Sequence, residues 1–186
     1  MGGVKSFMAL NPRFAVLLDG GFVKAKLSGQ KRRFPGVEDI EGERARIAEH
    51  ATLVGYDLLR IYFYDAQPAS GTIVNPISGE KTNLGATKTH ALNMALQQKL
   101  ELRPNFALRL GEAAVHDWNL GSKAIKSLGA APSAPTADDF VPNIEQKGVD
   151  LRIGLDIARL ALGRIVDVIV VVTGDSDFVL AFKFAR

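Results

Sequence analysis

The 186 residues carry a formal net charge of +3, with 47% hydrophobic and 23% charged side chains. A chain of this length buries a substantial core as one domain, and no apolar run reaches the roughly 18–20 residues of a membrane-crossing helix. Cysteine is absent, which removes disulfides, thiolate zinc sites and cysteine nucleophiles, while the mild basic bias permits a nucleic-acid partner without demanding one.

The amino terminus, Met1 to Phe7, has one Lys and no long apolar core. It does not read as a signal peptide, and a cytoplasmic location is expected. Phe14 to Leu18 is an apolar strand ending on Asp19, with Gly20 and Gly21 permitting a tight turn. Phe22 to Leu27 starts a helix with Lys24 and Lys26 outward. Lys31, Arg32 and Arg33 form a short basic loop, equally readable as a solvated turn or a phosphate contact. Glu38 to Val54 reads as a helix, with acids in its first turn and Gly55 as its stop. Leu58 to Tyr64 is a second strand running into Asp65, whose following loop favours a turn role. Strand, helix and strand in about 50 residues make a βαβ unit.

Residues 67–85 are rich in Gly, Pro, Ser, Thr and Asn and read as an excursion. Lys88 to Leu102 has helical spacing, with Pro104 beyond its end, and Phe106 to Gly111 is a third strand candidate. Residues 121–142 carry Pro132, Pro135 and Pro142 among Ala and Ser and read as a flexible insertion. The whole of 67–142 is then a variable excursion from a single domain spanning 1–186. Leu151, Leu155, Ala158 and Leu162 share a helical stripe that Gly163 ends.

Val168-Ile169-Val170-Val171-Val172 follows, an aliphatic run of the kind found in central parallel strands buried on both faces. It stops at Thr173-Gly174, immediately before Asp175-Ser176-Asp177. Phe178 to Arg186 begins a further helix. A doubly wound sheet would continue into another strand, so the chain reads as truncated or as completing its sheet another way. A late strand left at an exposed edge would favour self-association, and a homodimer stays open.

In open α/β sheets, ligands bind at the carboxyl ends of the strands. Asp19 converges there with Asp175 and Asp177 if their strands are neighbours. Asp150, at the start of a helix running antiparallel to the strands, reaches the same rim. Singly, each acid reads equally as a turn former or helix cap. Together, without matching cations, they repel unless protonated or bound to metal. Hard oxygen ligands suit Mg²⁺ or Mn²⁺, and such an ion activates water for in-line attack on a phosphodiester. Asp156 lies about 240° around the helix from Asp150, and an ion pair with Arg152 accounts for it plainly. His50, His90 and His116 lack metal spacing, and Ser176 reads as a helix N-terminal residue.

Three segments, Phe14 to Phe22 (FAVLLDGGF), Lys147 to Asp156 (KGVDLRIGLD) and Val172 to Phe178 (VTGDSDF), resemble in order and spacing the NYN domain of the PIN-like nuclease superfamily. The resemblance covers residues 14–186. It implies a Rossmann-like three-layer α/β/α sandwich with a mainly parallel central sheet. It also implies a metal-dependent endoribonuclease acting on RNA, in which Asp19, Asp150, Asp175 and Asp177 hold Mg²⁺ or Mn²⁺. Asp156 matches a further recurrent acid and joins the metal-ligand candidates. Lys147 becomes a phosphate-contact candidate, grouped on the substrate side with Lys31, Arg32, Arg33 and Ser176. Two features depart from the family. Gly21-Phe22 stands where many members carry Asn, and the usual strand beyond the last helix is missing.

Two rivals remain. An RNA-binding or regulatory module would keep the fold without turnover. A haloacid dehalogenase-type phosphatase would share a late acidic motif, but it needs a second Asp two residues after its nucleophile, and Gly21 occupies that place.

Overall fold

The computed structural model describes residues 11–130 and 133–186. β1 (Arg13–Asp19) leads through α1 (Gly20–Lys31) and α2 (Val37–Ala48) to β2 (Asp57–Ala66). A small antiparallel hairpin of β3 (Thr72–Val74) and β4 (Lys81–Asn83) precedes α3 (Lys88–Glu101). Then come β5 (Phe106–Leu120), α4 (Ser122–Ala130), β6 (Phe140–Lys147), α5 (Val149–Leu162), β7 (Val168–Val172) and α6 (Val179–Phe184). The main sheet has the order β6-β5-β2-β1-β7. Its strands run parallel except β6, which is antiparallel to β5.

Successive side chains of β1 enter opposite cores, as the two-residue repeat of a strand requires. Phe14, Val16 and Leu18 face Val23, Leu27, Ile40 and Leu100, from α1, α2 and α3. Ala15 and Leu17 face Val149, Ile153, Ile157 and Leu160 of α5. The expected three-layer α/β/α arrangement is therefore present. Full burial of one Leu or Ile contributes about 1.5–3 kcal/mol, so α5 is held chiefly by its apolar stripe. Its first residue follows Gly148, which has no side chain to cap it.

Several expectations need correction. The stripe of α5 that faces the sheet is Ile153, Ile157 and Leu160, whereas Leu151, Leu155 and Leu162 are 59–73% exposed. This helix is apolar on two sides, and helical spacing does not say which one finds the sheet. β7 is an edge strand of the described sheet, half-buried along its length, and β1 is the strand buried on both faces. Residues 121–142 hold α4 and the start of β6, except 131–132, which lie outside the described residues. β5 runs on through Gly111, because β6 pairs with its second half. No helix among the described residues is long and apolar enough to cross a membrane.

The strand order positions the site. The chain builds outward from β1 through β2 and β5, then returns to lay β7 against the other edge of β1. The helix leaving β1 packs on one face of the sheet, while Phe178, following β7, packs on the other. Two neighbouring parallel strands whose connections diverge open a crevice at their carboxyl ends.

Candidate functional site

The register pairs Leu18 with Val172, so Asp19 and Thr173 emerge side by side. Asp19 caps α1: its Oδ1 accepts the Phe22 N–H at 3.1 Å, and its Oδ2 accepts the Thr173 hydroxyl at 3.0 Å. Thr173 Oγ1 in turn accepts the Asp175 N–H at 3.1 Å, and Asp175 Oδ1 accepts the Asp177 N–H at 2.8 Å. A continuous hydrogen-bond chain thus runs from the turn after β7 to the acid of β1. The turn also packs on α1, since a Cβ at Gly174 would stand 2.6 Å from the Phe22 ring. Phe22 thereby packs against the acidic turn beside Asp19.

Asp150 arrives from α5. Gly148, at φ 73°, makes the left-handed bend from β6 into the helix, where a side chain would be strained. Asp150 lies in the first helical turn, where the helix dipole favours a negative charge. Its carboxyl is nevertheless pushed above the ordinary range, first by partial desolvation and then by repulsion from Asp19, Asp175 and Asp177. Asp150 therefore faces the charges of acids from two other, distant segments across the crevice. No ion pair among the described residues involves any of the four. A groove of about 390 Å³ runs from Asp150, Asp175 and Asp177 between α5 and α6, walled by Leu151, Leu155 and Leu180.

Uncompensated hard oxygen donors match Mg²⁺ or Mn²⁺ in chemistry. The side chains are not gathered into a closed cage, however. Among the described residues no group of three or more His, Asp or Glu is poised to hold a metal ion. One oxygen of Asp175 accepts the Asp177 N–H, and both oxygens of Asp19 accept hydrogen bonds, from the Phe22 N–H and the Thr173 hydroxyl.

The other candidates fall elsewhere. Asp156 is buried away from the crevice, accepting from the Tyr64 hydroxyl at 2.8 Å, Arg109 Nε at 3.1 Å and Arg159 Nε at 3.0 Å. Burial pushes its carboxyl up, but these three donors outweigh burial and hold it below the usual range. Its partners are Arg109 and Arg159, whereas Arg152 bonds the Gly148 carbonyl. These contacts make Asp156 a structural hub joining α5 to β2 and β5, with two arginines to balance its charge. Lys31 and Arg33 fold onto Asp39 at 3.0 and 2.7 Å. Together with exposed Arg32 they end α1, about 18 Å along its axis from Asp19, too far for a direct part in the crevice. Lys147 pairs with Glu145 at 2.9 Å. Ser176 is exposed beside Asp175 on the rim.

Sequence reading missed a second polar centre. Lys24, expected to point outward, is 14% exposed and pairs at 2.6 Å with the Asp65 carboxylate, which is buried. Lys26 pairs with Glu43. Asp65 also accepts from Gln97 and Gln146, each at 3.2 Å. The available signal was its place at the end of β2, one step beyond the Asp19–Tyr64 register pair. No protein-family model, curated protein or solved structure matches this chain.

Proposed function

We propose that the chain is an NYN-type endoribonuclease that hydrolyses RNA phosphodiester bonds with Mg²⁺ or Mn²⁺ at the β1/β7 crevice. The carrying observation is that Asp150, Asp175 and Asp177 line one groove, that Asp19 is hydrogen-bonded through Thr173 to the same turn, and that among the described residues no ion pair involves any of the four. In this reading those four carboxylates hold the ion, closing on it from their present hydrogen bonds. The bound metal supplies an acidified water and a positive charge for the phosphate. Thr173 orients Asp19, Phe22 supports the acidic turn, and the Leu151–Leu155–Leu180 groove flanks the site with an apolar wall.

The test is incubation of labelled RNA with Mn²⁺, with EDTA, and with an Asp175→Asn/Asp177→Asn variant. Cleavage is expected only with metal and intact acids; cleavage that persists in the variant would sink the assignment. One observation favours a second reading, an RNA-binding module without turnover: the acids do not stand as a ready metal cage. Tight RNA binding with no cleavage under any metal would favour it. The phosphatase reading has no support, since no carboxylate stands two residues after Asp19.

A further inference from the structure

We infer that the cavity over the Lys24–Asp65 pair is a nucleobase pocket for the RNA substrate, seated next to the acidic crevice; the assignment of RNA rests on the ribonuclease reading. The cavity has a volume of about 380 Å³, within the roughly 300–1,000 Å³ of small-ligand sites. Four parts of the chain enclose it: α1, the end of β2, the segment from β4 into α3, and the β5–β6 ladder. Much of the excursion after β2, which the proposed chemistry does not use, serves as its wall.

The lining selects the ligand class. Pro68, Leu84, Ala113, Pro142 and Ile144 present an apolar surface suited to a flat ring. The polar groups gather at the base. Lys24 Nζ donates to Asp65 Oδ2 at 2.6 Å and to Asn93 Oδ1 at 2.7 Å, which leaves one N–H of the ammonium for a ligand. His90 Nδ1 lies 3.0 Å from the Ala69 carbonyl oxygen and so carries the proton, leaving Nε2 as its acceptor. Because the Lys24 charge is already matched by a buried carboxylate, the floor is neutral overall. A phosphate gains little there, whereas an uncharged ring with both donors and acceptors on its edge fits walls and floor alike.

The pocket adjoins the crevice through Gly21. A Cβ on that residue would lie 3.4 Å from Asp19 Oδ1 and 3.5 Å from Gln146 Oε1, so the metal-candidate acid and a pocket-lining amide flank the same glycine. Lys24 is five residues beyond Asp19, about 7.5 Å along the α1 axis. A base bound over Lys24 therefore belongs to a nucleotide close to the phosphate at Asp19.

The experiment titrates the four nucleoside 5′-monophosphates into the metal-free chain while amide shifts are followed by NMR. Thr89→Trp and Ile144→Trp, from different walls, fill the cavity from exposed positions. Saturable shifts at Ala66, Gln67 and Thr82 are expected, weakened at least about tenfold in both variants. Absence of shifts at these amides, or shifts unchanged in both variants, overturns the inference. In parallel, single-stranded RNAs differing at one base are cleaved with Mn²⁺. A base preference at one position that both variants abolish supports the pocket, and indifference of the wild type to every base overturns it. Pocket shifts without any cleavage would uphold the pocket and refute the ribonuclease, whereas cleavage without pocket shifts would do the reverse.

Discussion

Lys24→Met is the sharpest test of the polar centre beneath α1. Asp65 is completely buried, and Lys24 is its cationic partner at 2.6 Å. Methionine keeps the length and apolar stem of lysine but leaves the carboxylate uncompensated, and breaking such a pair costs about 3–5 kcal/mol. Three neutral donors remain, the Ala66 N–H at 2.9 Å and the Gln97 and Gln146 amides at 3.2 Å. They place the expected loss at the lower end, about 3 kcal/mol, equivalent to about 6–12 °C in Tm for a chain of this size. Urea denaturation followed by circular dichroism measures it. Lys24→Met/Asp65→Asn, which keeps an acceptor and removes the charge, should recover at least half the loss. A single variant within about 1 kcal/mol of wild type, or a double variant no better than the single, would refute the reasoning.

Four further outcomes are expected. Asp19→Asn and Asp150→Asn should each lower Mn²⁺-dependent RNA cleavage at least about a hundredfold, whereas Asp156→Asn should leave the rate within about threefold when assayed below its lowered melting temperature. The Asp156 carboxyl is held below its unfolded value, so its contribution is present above about pH 4 and lost as pH falls through the lower folded value. Wild-type urea midpoints should therefore fall more steeply than those of Asp156→Asn between about pH 4 and 2. Gly174→Ala drives a methyl into the Phe22 ring and should cost about 1–3 kcal/mol, with Phe22→Ala restoring part of it in the double variant. A Lys31→Ser/Arg33→Ser variant should bind single-stranded RNA with an unchanged salt slope, because these cations lie at the far end of α1 and face Asp39.

The parts of the site that were legible share one property: they combine a strand pattern with an abrupt acid. Leu18-Asp19 and Val172-Thr173-Gly174-Asp175 each mark where a strand reaches the sheet rim, and the observed register makes those rims adjacent. What misled was periodicity without a partner. The leucines of α5 are as regular as its isoleucines, yet Leu151, Leu155 and Leu162 face outward. Lys24 resembles any helical lysine until β2 brings Asp65 against it, across a separation of 41 residues. Asp156 likewise shares the local look of Asp150, but the donors that claim it come from β2, β5 and the next turn of its own helix.

By itself, the sequence determined the apolar strands β1, β2 and β7, most of the helices between them, and the acids that end β1 and follow β7. All of these are local consequences of side-chain size, branching and spacing. Only the tertiary structure decided that β7 takes the edge beside β1, which acids share a crevice and which are neutralised, and that a buried Lys24–Asp65 pair underlies a second cavity. Those outcomes depend on pairing between segments far apart in the chain, where one carboxylate meets an arginine and another meets only like charge, and no local pattern carries that difference.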